Sequence, residues 1–254
     1  MSRRSVAAVS VTAACLVFAS AAADDSAMAT VWSSGLEYST GTYGGDDDIE
    51  EIYIPVGVTL NFPRVALDVA VPYLSVRGPA GSAGDDLDSG ETVTESGLGD
   101  IIAGITVYDV AYSDELGLAL DLSARIKFGT ADVDKGLGTG EQDITFRADF
   151  YKFFEQFTLL GSIGYKFRGA PEGVDLQDVP IASIGGSYYP GDRSSFGLFY
   201  DYRESAIPDS DAISELTATF ARRLNDSWTL QLYVFTGFTE SSSDWGGGLS
   251  VIVG

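Results

Sequence analysis

The sequence predicts an all-β fold: a transmembrane, antiparallel, up-and-down β-barrel of about 12 strands over residues 24–254, with short periplasmic turns and long acidic extracellular loops. Three features lead there. Apolar and polar residues alternate through almost the whole chain, the connections between alternating segments are short and long by turns, and an export segment precedes them.

The export segment comes first. Arg3 and Arg4 lead into the apolar run Ser5–Phe18, and Ala21-Ala22-Ala23 stands before Asp24-Asp25. A basic start, an apolar centre and a small-residue site make a signal peptide of residues 1–23, with cleavage expected after Ala23. Beyond it no run of ~18 apolar residues is present, so a helix does not cross a membrane. In hydrocarbon the remaining backbone that satisfies its own hydrogen bonds is a closed barrel.

Composition narrows the chemistry. Without the signal the chain keeps 13 basic residues against 37 acidic ones, a balance of −24. Such a charge argues against a nucleic-acid partner, which needs a basic face to displace counterions. The single cysteine, Cys15, lies in the signal, and the chain has no histidine. Ser-His-Asp and Cys-His hydrolases and thiolate metal sites are therefore excluded, and no enzyme activity, cofactor or metal is expected.

The glycines of KFGTADVDKGLGTGEQDITF (127–146) are spaced somewhat like a phosphate-binding turn. Such a turn needs a helix behind it. Here Ile144, Phe146, Ala148 and Phe150 alternate with Asp143, Thr145, Arg147 and Asp149, which is the period of a strand. Asp132, Asp134 and Glu141 would also repel a phosphate, so the stretch reads as a solvated loop between strands.

The same alternation places strands near 31–40, 49–61, 64–76, 97–111, 115–129, 140–154, 157–168, 178–189, 194–204, 213–224, 227–238 and 244–253. Most are ~10–15 residues long, enough to cross a bilayer when tilted. Ile52, Ile54, Val56, Val58 and Leu60 form one apolar face, and Val65, Leu67, Val69, Val71 and Tyr73 the next. Connections after even-numbered strands are tight, as in Asn61-Phe62-Pro63-Arg64 and Pro190-Gly191-Asp192-Arg193. Those after odd-numbered strands are long and acidic: 41–48, 77–96, 130–140, 169–177 and 205–212. A soluble sandwich has no reason for that rhythm. An outer-membrane barrel has one, because its short turns face the periplasm.

Two motifs carry a family resemblance. Gly97-Leu98-Gly99-Asp100 opens the fourth strand, and Lys127-Phe128-Gly129-Thr130-Ala131-Asp132 with Leu137-Gly138-Thr139-Gly140 and Asp143 spans the third long loop. Together with Gly164–Gly169 and Tyr200–Glu204, they make the chain resemble the outer-membrane channel family named after the meta pathway of phenol degradation, whose members are often labelled transporters. The resemblance implies an outer-membrane barrel that takes up small compounds, aromatic ones among them. The partners of such a barrel are outer-membrane lipid and lipopolysaccharide, the barrel-insertion machinery and a small-molecule solute. One departure stands out: the last strand ends Val251-Ile252-Val253-Gly254, where such barrels usually end on an aromatic residue.

With the apolar faces in lipid, the alternate residues line the lumen. The fifth strand turns Asp121, Arg125 and Lys127 inward, the sixth Asp143, Arg147 and Asp149, and the seventh Lys166 and Arg168. The ninth adds Asp201 and Arg203, and the tenth Glu215. Basic members of this set gather towards the outer third of the bore, with Asp143, Asp201 and Glu204 as the acids expected to answer them. Two readings follow from a bore of intermediate width. The charges form a constriction that holds the polar or anionic end of a solute, or they pair with one another and plug a non-conducting barrel that serves structure or surface interaction. An outer-membrane enzyme built on carboxylates alone is a third reading, disfavoured by the missing histidine.

Overall fold

The computed structural model describes residues 28–79 and 92–254. The expected signal, and Asp85, Asp86 and Asp88 of the second long loop, lie outside the described residues.

Every regular element among the described residues is a β-strand: β1 (Ala29–Gly41), β2 (Ile49–Asn61), β3 (Val65–Pro79), β4 (Thr92–Leu98), β5 (Ile102–Ser113), β6 (Leu118–Lys127), β7 (Asp143–Phe153), β8 (Phe157–Arg168), β9 (Val179–Gly191), β10 (Ser194–Arg203), β11 (Ile213–Arg223), β12 (Trp228–Gly237) and β13 (Trp245–Val253). Apart from β4 and β5, neighbours in sequence pair antiparallel, and β1 pairs with β13 from Trp32↔Val253 to Thr40↔Trp245, which closes the ring. Closure removes the free edges that an open sheet would expose.

The ring holds 12 strand positions because β4 and β5 share one. Both pair with β3, β4 along its outer part (Tyr73↔Leu98) and β5 along its inner part (Ala70↔Ile102). The fourth strand expected at 97–111 is thus longer than the alternation suggested, and it is broken at Gly99-Asp100-Ile101. Three residues there face only Val71 and Pro72 of β3. Pro72 has no N–H to complete the ladder, and its carbonyl accepts from Gly99 N at 2.8 Å, so the extra residue bulges out of the pairing.

Connections at one rim hold two to four residues: 62–64, 114–117, 154–156, 192–193 and 224–227. Those at the other are longer, and both ends of the barrel lie at the short-turn rim. The outer surface carries exposed large apolar residues on strand after strand, among them Val56, Leu67, Ile105, Leu122, Phe146, Phe150, Ile163, Ile184, Leu198 and Val234. A continuous apolar belt of this kind has no place in water and matches the hydrocarbon of a bilayer. Tyr73 and Phe167 lie towards its outer margin, Phe196 and Trp228 towards its inner one.

Candidate functional site

The inward side chains make three sectors with different character. The first is a half-exposed polar lane on β1–β6. Cross-strand partners Ser33, Gly57 and Ala70 lie in one row, and Thr59, Asp68, Gly104 and Arg125 in the next. Small side chains leave room here, so Arg125 keeps 43 % of its side-chain surface open and Asp68 22 %, with 4.0 Å between the Arg125 Nε and the Asp68 carboxylate. Asp68 was not among the charges expected from the sequence, although it occupies an inward position between Leu67 and Val69.

The second sector is basic. Lys166 Nζ lies 3.0 Å from Asp143, and Lys127 Nζ 3.9 Å from the same oxygen. Arg168 and Asp143 are cross-strand partners, yet Arg168 Nε is buried without a hydrogen-bond partner among the described residues. Arg203 belongs to the same electrostatic neighbourhood as Arg168, Asp143 and Glu215. Lys127, Lys166, Arg168 and Arg203, grouped by the sequence, thus lie in one sector around Asp143. One of the acids expected to neutralise them is absent: Glu204 accepts from the outward Tyr202 hydroxyl at 2.6 Å instead.

Deeper in the bore the expected charges are structural. Asp121 Oδ1 accepts from Asp109 N at 2.8 Å, where β5 shifts register between Val107 and Ala111 and Asp109 takes φ 51°. The carboxylate thus caps a bulge. Arg147 Nε donates to Asp149 Oδ2 at 3.1 Å along one strand. Asp201 pairs in register with Glu215, and Phe199, Leu160 and Phe235 fill the bore beside them.

The third sector is acidic and was missed. Glu37 and Glu51 turn inward from β1 and β2 and are buried. The Tyr233 hydroxyl reaches across β13 and donates to Glu37 Oε2 at 2.5 Å. Gly248 makes the crossing feasible, since a Cβ there would lie 2.6 Å from that hydroxyl.

Over the outer mouth lies the loop 128–142, which was expected to be solvated. It folds inward. Leu137, only 2 % exposed, and Ala131 pack against Leu74 and Val76 of β3, with Ile49 and Tyr53 beside them. Asp100, pushed out of the ladder by the bulge, anchors it: Oδ1 accepts from Thr130 N and Ala131 N, each at 2.9 Å, and Oδ2 from Lys127 Nζ at 2.6 Å. Thr130 Oγ1 accepts in turn from Ile101 N at 2.9 Å. Gly138 must be glycine in this arrangement, because a Cβ would lie 2.8 Å from Ala131 Cβ and 3.0 Å from Asp100 Oδ2. The two glycine-rich motifs are therefore two halves of one internal joint, which sits above the polar lane.

Solved structures of similar shape are outer-membrane barrels. The KdgM porin matches 88 % of this chain and 98 % of its own at TM-score 0.55 and 7 % identity. The translocator domain of the autotransporter NalP from Neisseria meningitidis matches 89 % and 88 % at 0.54 and 10 %. The CymD monoaromatic hydrocarbon channel matches 88 % and 87 % at 0.49 and 10 %. At such identities the likeness speaks to the fold alone. No curated protein matches the chain in sequence. The family model described as "Putative MetA-pathway of phenol degradation" matches residues 31–253, which take in both halves of the joint and nearly the whole barrel, and the chain belongs to that family.

Proposed function

We propose that this barrel is an outer-membrane channel for the passive uptake of small solutes, in which the cluster of Lys166, Arg168 and Arg203 holds a polar or anionic end while Tyr108 or Phe199 offers an apolar contact. The observation that carries the reading is the half-exposed lane through Asp68 and Arg125 beneath a loop folded into the mouth. A barrel whose sole task is structural gains nothing from leaving an arginine open to water inside its wall. In this reading Asp121, Arg125, Lys127, Arg147, Asp149, Asp201 and Glu215 shape the field along the path. The protein enters the outer membrane through the barrel-insertion machinery, meets lipopolysaccharide at its outer rim and performs no catalysis.

A second reading has its own support. Asp143, Asp149 and Glu215 are buried, as charges are in a plugged barrel. Planar-bilayer recording separates the two. The channel reading expects discrete conductance from the wild type and larger conductance once residues 132–138 are replaced by a short Gly-Ser linker. Silence from both proteins, each folded by heat-dependent gel mobility, would leave the structural barrel.

A further inference from the structure

Glu37 and Glu51 pose an electrostatic problem that the chain does not solve by itself. They stand diagonally across β1 and β2, Glu37 opposite Tyr53 and Ser39 opposite Glu51, and are exposed by only 4 % and 7 %. Tyr233 supplies one hydrogen bond to Glu37. Glu51 has neither a hydrogen bond nor an ion pair among the described residues, and its electrostatic neighbour is Glu37, another acid. The ion pairs of the described residues lie elsewhere: Arg77–Glu50 on the outer surface, Arg125–Asp68 and Lys127–Asp100 between β3 and β6, and Arg147–Asp149 and Lys166–Asp143 on β7 and β8. Residues 80–91 hold no lysine or arginine, so that loop has no cation to lend. A buried carboxylate without a counter-charge is costly, so it holds a proton until a cation from outside answers it.

The surroundings say what kind of partner. No group of three or more acidic side chains among the described residues converges closely enough for a metal ion, which sets aside a compact divalent cation. Three tyrosines stand on the same stretch of wall instead. Tyr53 is opposite Glu37, Tyr233 bonds to it, and Tyr43 folds in from the loop after β1, with 3.1 Å between its hydroxyl and Ser243 Oγ. Carboxylates answer the charge of an ammonium group, and aromatic faces attract its polarised C–H and N–H surface within ~6 Å. The acidic loops of the outer rim raise the local concentration of cations in front of this recess.

We propose that Glu37 and Glu51, framed by Tyr43, Tyr53 and Tyr233, form a binding recess for a small organic ammonium ion. The proposal rests on the channel reading and sharpens it, because it names a positively charged group on the solute. A solute that carries both an ammonium and an anionic group meets opposite charges on opposite walls, and its dipole is aligned in the bore.

The test uses purified, folded protein in detergent. Calorimetric titration with benzylammonium chloride is compared with benzyl alcohol, a neutral ligand of nearly the same shape. The wild type is expected to bind the ammonium at least tenfold more tightly, and Glu37→Gln with Glu51→Gln to abolish that difference. Equal affinity for the two ligands, or a preference that survives both substitutions, overturns the proposal. Should the double variant fail to fold, Glu51→Gln alone decides, since Glu51 has no hydrogen bond to lose, and a preference it leaves unreduced also counts against the recess. Bilayer recording of the same proteins keeps the two readings apart. Ammonium binding without conductance removes the channel and keeps the recess, whereas conductance without ammonium preference does the reverse.

Discussion

Asp100 and Lys127 meet inside the barrel at 2.6 Å, and this contact joins a bulge in one strand to the first turn of the loop that covers the mouth. Because the other Asp100 oxygen accepts two loop N–H groups, one carboxylate holds both the charge and the backbone of the turn. Substituting it releases the loop at its root. Asp100→Ala is expected to cost the docked loop about 2–4 kcal/mol, as hydrogen bonds to a buried charged group do. The measurement is single-channel conductance, which should rise and grow noisier. Conductance equal to the wild type in a folded variant would mean that the loop does not limit the path.

Leu137 tests the same joint from its apolar side. Its side chain is buried against Leu74, Val76 and Ala131, so Leu137→Ala is expected to lose about 2–5 kcal/mol of loop docking. The twelve-position ring does not depend on that contact. Limited proteolysis should therefore cut within 128–142 in the variant and spare it in the wild type, while heat-dependent gel mobility stays unchanged in both.

The two faces of β3 differ in a way that one charge reveals. Val69 is 43 % exposed on the outer belt, whereas Ala70 faces the polar lane beside Gly57. Val69→Arg is expected to destabilise the inserted barrel by about 2–4 kcal/mol, the usual cost near the bilayer midplane. Ala70→Arg finds water and Asp68 nearby and should change mainly permeation. Refolding into lipid vesicles against urea measures both, and equal losses would reverse the assignment of faces.

Much of this was legible in the sequence, and most of the misses share a cause. Alternation gives each strand its two faces, so the apolar belt, the inward cations and the even strand count follow from residues such as Leu67-Asp68-Val69-Ala70 alone. What alternation does not give is who stands beside whom. Glu37 and Glu51 become a pair only through the β1–β2 register, and Tyr233 joins them only because β13 closes the ring. The broken fourth strand depends on Pro72, which belongs to a different strand. The loop 128–142 misled for another reason. Its acids read as solvated surface, yet two apolar residues, Ala131 and Leu137, suffice to dock it because Asp100 anchors its backbone.

Selectivity offers the last prediction, and the structure changes which residues to alter. Lys127 is spoken for by Asp100, so replacing it would disturb the loop as well as the field. Lys166 and Arg203 are better probes. Lys166 sits 3.0 Å from Asp143, and Arg203 takes part in no ion pair of the described residues, though Asp143 and Glu215 act on its charge. Lys166→Met with Arg203→Met removes two charges from the bore while keeping much of the side-chain bulk. Asp143 and Glu215 would then face the path with less opposition, and cations should pass more readily. In a tenfold salt gradient the reversal potential of the double variant is expected to move towards the cation-selective limit, with Lys166→Met alone moving it by less. A reversal potential unchanged in a conducting double variant would mean that ions bypass this wall, and the constriction would have to be sought along the Asp68–Arg125 lane instead.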